Sequence, residues 1–554
     1  MDLDEILPSI GEFGKYQKLV VWFILLPAVF PCGFNAYSQL FMATVPNHWC
    51  RLPNASGVDY DLLKNISIPF ESHANNKSKF SQCLMYDLNY DSINIVNAAA
   101  IDRIRNGSTV LCKNGWTYDV DDVRQSVVSE WNLVCSKNFA PTLALVLFGL
   151  SGLIGNCIFG YIQDGFGRKP AYYIYLLIQC VFGVGTILAD NFVIWLVFRI
   201  GVGFTVPAIL GTPYVLAIEL VGPKDRTTVT ILINIAYSVS LVLLAIVVWV
   251  IRDWRWLALA TTAPFATLFL TWCLLPESPR WLLARGRREE AKRILTKIAR
   301  VNGKAVPLDF LSKSTRKHAS KTLEDDQKYG IRHLFLYPNL RWKTIIVTFL
   351  WFTNTSVYVG LSYYAPTLGG DEYLNFFLAG AVEFPTYLFL WPAMEKLGRR
   401  WTLCVSMVVG GSSCLATFLV QNDYTTTLTL YCVGKMGISS AFVVLPLMAS
   451  ELYPTVVRGL GMSLSSVVGM LGPIFIPLVN YLGSDIIILP LIIMGAMLVI
   501  GGLSSLLLPE TLNQHLPQTL EDAENNMLDF FACCALPQKS DELRTNSDFE
   551  DSRM

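Results

Sequence analysis

The sequence predicts an all-α membrane protein with twelve transmembrane helices in two pseudo-symmetric six-helix bundles. Three observations predict this fold. The chain of 554 residues is 53% hydrophobic and 16% charged, with a mean hydropathy of +0.43, which is too apolar for an ordinary soluble protein of this size. Twelve apolar runs have roughly the 20 residues that a membrane-spanning helix needs. A short charged motif also recurs at equivalent positions in the two halves.

The twelve apolar runs form two groups of six around a hydrophilic connection. They lie at residues 18–43, 141–163, 171–190, 191–218, 227–250, 256–275, 343–365, 374–393, 402–420, 426–449, 459–481 and 485–508. We therefore predict that the chain divides into five segments. They are an N-terminal segment at 1–17, a bundle at 18–275 that includes a long loop at 44–140, a central connection at 276–342, a second bundle at 343–508 and a tail at 509–554.

The distribution of basic residues predicts the orientation in the membrane. If both termini are cytoplasmic, the short cytoplasmic loops hold Arg168, Lys169, Lys224, Arg226, Lys396, Arg399, Arg400 and Arg458, whereas the short outer loops hold Arg252 and Arg255. The central connection adds sixteen Lys and Arg residues on the same side. We predict a multi-pass plasma-membrane protein with both termini in the cytoplasm. The 43 basic and 43 acidic residues balance, so no nucleic-acid partner is expected.

The long loop between the first two helices has the composition of an extracellular segment. It contains four Asn-X-Ser/Thr sequons, at Asn54, Asn65, Asn76 and Asn106, and we expect glycosylation at one or more of them. It also contains Cys50, Cys83, Cys112 and Cys135. An even number of cysteines in an oxidising compartment predicts two disulfides, and three pairings are possible.

The repeated motif follows the second helix of each half, in GYIQDGFGRK (160–169) and WPAMEKLGRR (391–400). Its residues are Asp164, Gly167, Arg168 and Lys169 in one half and Glu395, Gly398, Arg399 and Arg400 in the other. We expect each glycine to permit a tight turn, Asp164 to accept hydrogen bonds from the start of the next helix, and Arg168 to pair with acids at neighbouring helix ends. Such a charge cluster would break when the halves rock. Glu219 and Glu451 are the expected partners of the Arg168 and Arg399 clusters, and Arg458 is a further gating candidate.

Further motifs resemble one transporter family. The paired motif is similar to that of the major facilitator superfamily, and PESPRWLL (276–283), ELYPTVVRG (451–459), LPET (508–511) and SEWNLVC (129–135) resemble its organic cation and carnitine transporters. The resemblance covers residues 10 to about 525. It implies the major facilitator fold and alternating-access transport of organic cations or zwitterions, such as biogenic amines, their conjugates or carnitine. It implies no cofactor, and it leaves a coupling ion, Na+ or H+, open.

Ionisable residues deep in apolar helices are candidates for the substrate site, because a charge at the bilayer centre is costly. Glu383 in the eighth helix and Lys435 in the tenth lie near the midplane when 1.5 Å is counted per residue. An alternative interpretation is that the two only pair and fix the C-terminal half. Arg199 in the fourth helix is similarly deep, but it resembles the structural arginine of that helix in the family.

Polar and aromatic residues around these charges complete the predicted substrate site. The candidates are Asn35, Tyr37, Tyr237, Trp351, Asn354, Tyr358 and Met470. Aromatic faces attract ammonium groups, and WFTNTSVYVG (351–360) resembles the segment of the seventh helix that lines the cavity in the family. At the position of Met470, cation-selective members have an aspartate and anion-selective or carnitine members have a basic residue. Substrate charge therefore stays open at this stage.

Other classes of protein fit the sequence less well. An organic anion transporter of the same family and a non-transporting receptor are the alternatives, and a sugar transporter would not usually have this outer loop. An enzyme is not expected, because the chain has no Walker loop, no G-x-S-x-G and no H-E-x-x-H motif. The cysteine and histidine pattern predicts no metal site. The expected partners are a small organic cation or zwitterion, the lipid bilayer and the coupling ion.

Overall fold

A computed structural model gives the structure of the protein. It describes residues 3–52, 59–72, 78–87, 108–119, 125–304, 330–420, 423–454, 456–483, 488–512, 517, 520 and 524.

Twelve apolar helices dominate the described residues, and each coincides with one predicted run. Eleven are long enough to cross a membrane by themselves, and the last has 17 residues. Numbered α1 to α12, they are Lys15–Met42, Cys135–Phe166, Arg168–Ile187, Phe192–Leu220, Arg226–Val250, Trp254–Cys273, Pro338–Leu368, Glu372–Leu397, Arg399–Leu419, Tyr424–Leu452, Arg458–Leu482 and Leu489–Ser505.

Short polar side chains fix the start of four helices at the same side of the molecule. Asn191, Asp253, Asp371 and Asp423 precede α4, α6, α8 and α10, and each side chain accepts a hydrogen bond from a backbone N–H of the first turn. Such caps satisfy N–H groups that have no partner inside the helix. The disulfide-bonded loop lies on this side, which we call the loop side. The opposite side, where α1 begins, is the terminus side.

Several membrane helices depart from regular α geometry, including α1, which is π-helical at Val21–Leu25. The second half of α6, Ala263–Cys273, is a 3₁₀ helix. Helix α8 is interrupted at Val382, between Glu372–Ala381 and Glu383–Leu397, and α11 is interrupted between Arg458–Gly469 and Gly472–Leu482. Pro473 contributes to the second break because it has no N–H to donate.

The two bundles pack closely against each other at the loop side. Gly149 of α2 faces the backbone of α11, where an added Cβ would lie 2.9 Å from the Pro473 carbonyl oxygen. Gly380 of α8 faces α5, where an added Cβ would lie 3.1 Å from a methyl group of Val242. Aromatic rings fill the space between these contacts, in the pairs Tyr37–Tyr363, Tyr37–Phe376, Phe41–Tyr373 and Phe41–Phe376. The structure is therefore closed at the loop side.

The described residues of the loop after α1 form a small domain with three two-stranded antiparallel sheets. Its strands, β1 to β6, are His48–Cys50, Phe70–Ser72, Ser78–Phe80, Leu84–Tyr86, Thr109–Leu111 and Trp116–Tyr118, and they pair as β1–β6, β2–β3 and β4–β5. Of the three possible disulfide pairings, the structure forms Cys50–Cys112 and Cys83–Cys135. Glu130 attaches this domain to the N-terminal bundle, since it accepts hydrogen bonds from the Trp254 indole at 2.7 Å and the Arg255 guanidinium at 2.6 Å.

On the terminus side, the segment after each bundle returns to the first helix of the same bundle. After α6, a helix at Arg288–Asn302 ends in Asn302, whose side chain accepts from the backbone N–H of Tyr16 at 3.0 Å. After α12, the Glu524 carboxylate accepts from the backbone N–H of Asn339 at 3.0 Å. Each contact satisfies an N–H group at the start of α1 or α7.

Candidate functional site

Glu383 lies where α8 is interrupted, and its side chain is fully buried. Its carboxylate accepts hydrogen bonds from the Tyr358 hydroxyl of α7 at 2.9 Å and from the Ser439 hydroxyl of α10 at 3.0 Å. The Tyr387 hydroxyl, one turn further along α8, donates at 3.2 Å, and Ser238 of α5 donates as well. Ser238 belongs to the N-terminal bundle, so this one carboxylate contacts both bundles.

Lys435 is the counter-ion of Glu383. Its Nζ lies 3.3 Å from Glu383 Oε1, donates to the Ser362 hydroxyl at 2.7 Å and sits 3.7 Å from the centroid of the Tyr358 ring. Both charged side chains are at most 1% exposed. A buried pair of this kind is neutral as a unit, and removing one partner leaves an uncompensated charge.

The pair lies near the middle of the membrane region. Glu383 and Lys435 each come eleven residues after the first residue of their helix at the loop side, which places them about 16 Å deep in a bilayer core of about 30 Å. We call Glu383, Lys435 and the hydroxyl groups of Ser238, Tyr358, Ser362, Tyr387 and Ser439 the midplane cluster.

Two more predicted residues lie beside the midplane cluster. They are next to the ring pairs of Tyr37 and Phe41 that close the loop side, which we call the aromatic closure. Tyr37 of α1 lies next to Ser362 and to Tyr237 of α5, and its ring packs on the Tyr363 ring at 5.8 Å. Five sequence-predicted candidates are thus close to one another: Glu383, Lys435, Tyr358, Tyr237 and Tyr37.

Four predicted candidates are not part of this cluster. Asn35 instead donates to the backbone carbonyls of Pro31 and Thr261, at 3.0 and 3.2 Å. Asn354 and Trp351 lie one and two turns from Tyr358 towards the terminus side, where the Asn354 amide and the Trp351 indole N–H have no partner among the described residues. Met470 lies in the interruption of α11.

On the terminus side, the first repeat of the motif builds an N-half charge cluster of Asp164, Arg168, Glu219 and Glu277. The Arg168 guanidinium binds Glu219 at 3.0 and 3.1 Å and Asp164 at 3.2 Å. The Glu277 carboxylate accepts from the backbone N–H groups of Arg168 at 2.9 Å and Lys169 at 3.2 Å. Burial raises the pKa of Glu277, and these backbone hydrogen bonds oppose that rise.

The second repeat builds a C-half charge cluster with the same arrangement. The Glu510 carboxylate accepts from the backbone N–H groups of Arg399 at 2.8 Å and Arg400 at 3.1 Å. The Arg399 guanidinium lies 3.4 Å from Glu451. Glu277 of PESPRWLL and Glu510 of LPET thus cap α3 and α9 in the same way, as carboxylates favourably placed at helix N-termini.

The glycine of each motif is required by this cap. Gly167 has φ +106° and Gly398 has φ +83°, values that favour glycine. A Cβ at Gly167 would lie 2.6 Å from the Glu277 carboxylate, and one at Gly398 would lie 2.5 Å from that of Glu510. The glycine therefore provides both the turn and the space for the capping acid.

Comparison with known proteins identifies the family. A family model described as "Sugar (and other) transporter" matches residues 106–522. The beta-alanine transporter of Drosophila melanogaster is 52% identical over 97% of this chain and 91% of that protein, and the carcinine transporter of the same organism is 40% identical over 99% and 83%. The organic cation/carnitine transporter 2 of Homo sapiens is 33% identical over 94% and 93%. The chain belongs to the organic cation and carnitine transporters of the major facilitator superfamily.

Solved structures confirm the predicted fold of this transporter. The inward open conformation of the xylose transporter XylE from E. coli covers 91% of the chain and 99% of XylE, with a TM-score of 0.58 and 16% identity. At that identity the likeness concerns the fold alone. The expected twelve-helix architecture of two bundles is therefore correct.

One expectation for the charged motif of the transporter was wrong. Among the described residues the Asp164 carboxylate does not accept from the backbone N–H groups at the start of α3: it is 71% exposed and binds the Arg168 side chain across the turn between α2 and α3, because Glu277 occupies the cap position. Glu395, at the equivalent position of the second half, accepts from the Trp391 indole at 2.9 Å. Arg458, a further gating candidate, donates to the Tyr453 carbonyl at 3.3 Å and lies near Glu451 of the C-half charge cluster.

Sequence reasoning missed most of the hydroxyl groups in the transporter's midplane cluster. Ser238, Ser362, Ser439 and Tyr387 were not singled out, because a lone Ser or Tyr in a membrane helix gives no specific signal. The four sequons lie partly outside the described residues: Asn65 is exposed at the surface of the loop domain, and Asn54, Asn76 and Asn106 are not described.

Proposed function

We propose that this transporter carries small organic ammonium compounds across the plasma membrane by alternating access, with zwitterions as the favoured class. In this proposal Glu383 binds the substrate ammonium and Lys435 binds the substrate carboxylate. The single observation that carries the proposal is the buried Glu383–Lys435 pair among hydroxyl groups and the Tyr358 ring.

Charge compensation explains why a zwitterion suits this pair. When a zwitterion enters, its ammonium replaces Lys435 as the partner of Glu383, and its carboxylate replaces Glu383 as the partner of Lys435. The cluster stays neutral and both protein charges stay paired. A simple cation would leave Lys435 without an anion, and a simple anion would leave Glu383 without a cation, each at the cost of an uncompensated buried charge.

The name of one relative supports the zwitterion class, and the name of another supports only the broader class of ammonium compounds. The first is a beta-alanine transporter, and β-alanine has one ammonium and one carboxylate group; the second is a carcinine transporter, and carcinine is an amine without a carboxylate. The Tyr358 ring, which now contacts the Lys435 ammonium at 3.7 Å, would provide the same cation–π surface for a substrate ammonium.

The alternating-access step rests on the closure between the bundles. The loop side is sealed by the α2–α11 and α5–α8 contacts and by the aromatic rings around Tyr37. Ser238 of α5 donates to Glu383 directly below the α5–α8 contact. We propose that opening the loop side separates α5 from α8 and exposes Glu383 to that side, as rocking of the two bundles requires.

The loop domain and the basic residues support the proposed orientation of the transporter. The two disulfides and the sequon at Asn65 suit an extracellular loop side, and the charge clusters around Arg168 and Arg399 suit a cytoplasmic terminus side. A neutral zwitterion gains no energy from the membrane potential, whereas a monovalent cation gains about 2.3 kcal/mol per 100 mV. Uphill transport of a zwitterion would therefore need a coupled ion such as Na+ or H+.

The test is uptake of β-alanine, a monovalent amine and a monovalent carboxylate at two membrane potentials. We expect β-alanine to be taken up best, and Glu383→Gln to abolish uptake of both β-alanine and the amine. The proposal fails if the carboxylate alone is the preferred substrate, or if Glu383→Gln transports the amine undiminished. Ser240→Ala is the matched control, because among the described residues the Ser240 hydroxyl donates only to the Tyr237 backbone carbonyl of its own helix.

A further inference from the structure

Arg199 of α4 is a buried cation that has no acidic partner among the described residues. Its side chain is 1% exposed. The guanidinium donates from Nε to the Gln39 side-chain oxygen and from Nη2 to the Asn35 backbone carbonyl, both at 3.0 Å, and lies 5.3 Å from the Phe148 ring. These are neutral groups, and arginine does not lose its proton in proteins. A positive charge therefore remains uncompensated in a water-poor region, which is costly.

The side chains around Arg199 have hydrogen-bonding groups without partners in the described structure. Gln39 Nε2 and the Ser38 hydroxyl belong to α1, and the Trp195 indole N–H lies one turn before Arg199 on α4. All three residues are fully buried. Buried polar atoms normally have hydrogen-bond partners. Here three groups that can donate have no acceptor, and the Arg199 cation has no acid. These observations together indicate that an acceptor is missing from this region.

We propose that Arg199, Gln39, Ser38 and Trp195 form a binding site for one monovalent anion between α1 and α4. The anion would accept from Nη1 of Arg199, for which no acceptor is recorded among the described residues, from Nε2 of Gln39, whose side-chain oxygen already binds Arg199, and from the unpaired groups of Ser38 and Trp195 on the same two helices. It would neutralise the guanidinium without any change in the protonation of the protein.

Two sources supply such an anion: chloride from solution, or the carboxylate of a substrate. The site adjoins the aromatic closure, because Tyr363, which packs on Tyr37, lies near Arg199. An anion here would help to hold α1 and α4 together beside that closure. The chloride source does not depend on the proposed function at Glu383, so the two proposals can fail separately.

The first experiment measures the thermal stability of the purified full-length protein while sodium gluconate is replaced by sodium chloride at constant ionic strength. We expect saturable stabilisation, with the folded-to-unfolded ratio rising about elevenfold at a chloride concentration ten times Kd. Arg199→Gln removes the charge and should abolish the chloride response. Gln39→Leu keeps the charge but removes one donor, and it should raise the Kd for chloride about tenfold.

A second arm distinguishes the two sources of the anion. In sodium gluconate without chloride, the thermal stability of the wild type and of Arg199→Gln is measured with β-alanine and with ethylamine. If Arg199 binds the substrate carboxylate, the variant loses the advantage of β-alanine over ethylamine, and chloride has little effect on the wild type. If Arg199 binds chloride, the variant loses only the chloride response.

The matched control is Arg255→Gln, since Arg255 already has an acidic partner in Glu130 at 2.6 Å. This variant should keep the full chloride response. If Arg199→Gln does not fold, Arg199→Lys replaces it, and we expect at least tenfold weaker binding of the anion because the lysine lacks the planar fork of donors. The inference is overturned if neither chloride nor the substrate carboxylate stabilises the protein in a manner that depends on Arg199 or Gln39.

Discussion

Replacing Lys435 by methionine should convert a zwitterion carrier into a cation carrier. Methionine keeps the length and apolar character of the lysine stem and removes its charge. In the wild type, the Lys435 ammonium lies 3.3 Å from the Glu383 carboxylate, and an incoming substrate ammonium must displace it. In Lys435→Met that competitor is gone, and the Glu383 carboxylate is left with hydroxyl donors alone.

The structure gives the size of the expected change. A hydrogen bond to a charged group contributes about 1.5–3 kcal/mol, so losing the contact between Lys435 and the substrate carboxylate should lower kcat/KM for β-alanine by a factor of about 10 to 150. Uptake of a monovalent amine should rise, because it now neutralises a buried carboxylate instead of competing with an internal cation. The ratio of amine to β-alanine transport should therefore increase by at least about tenfold.

The assay is initial uptake of labelled β-alanine and ethylamine in cells with equal surface expression of wild type and variant, at two membrane potentials. Ethylamine uptake by Lys435→Met should rise at the more inside-negative potential, since one net positive charge moves with each ethylamine. Equal loss of both substrates would mean that Lys435 only stabilises the fold. Unchanged selectivity would refute its role in carboxylate binding.

Three further predictions concern the contacts around the site. Ser238→Ala removes a bond between the bundles, so a membrane-impermeant thiol reagent should label a cysteine reporter at the loop side about tenfold faster than in Ser240→Ala, and equal rates would contradict the closure role. Glu277→Gln should destabilise the protein by about 1 kcal/mol, as the loss of a helix cap does, whereas Glu395→Gln should be nearly neutral; a melting experiment compares them. N-glycosidase treatment should shift the gel mobility of the protein. Mass mapping should find no free thiol at Cys50, Cys83, Cys112 and Cys135, and free thiols at these positions would disprove both disulfides.

The positions of the membrane helices could be predicted from the sequence because each needs a long apolar run. Their ends were less predictable, since caps and breaks depend on single residues. Helix α8, for example, begins at Glu372 rather than 374, where Asp371 caps it, and it continues past 393 to Leu397. The interruption of α11 at Met470 had no clear signal, although Gly469 and Gly472 border it.

The charged members of the midplane cluster were predictable for a different reason from its neutral members. Glu383 and Lys435 stand out because charges are rare in apolar helices. Ser238 and Ser439 do not, because serines in membrane helices usually bond to their own backbone, as Ser240 does here. Only packing of α5 and α10 against α8 turns their hydroxyl groups towards the carboxylate.

The helix cap at the charged motif shows a further limit, with consequences for the mechanism. Glu277 lies more than a hundred residues after Arg168, so the sequence near the motif pointed to Asp164 instead.

All bonds of the N-half cluster join parts of the N-terminal half, and those of the C-half cluster join parts of the C-terminal half. We therefore expect both clusters to survive rocking of the bundles, contrary to the expectation that they break. Ser238 and Glu383 belong to different bundles, so their hydrogen bond must change when the bundles rock. In our proposal the Glu383 carboxylate also binds the substrate. Substrate binding can therefore change the closure of the loop side directly, without further residues that couple the two events.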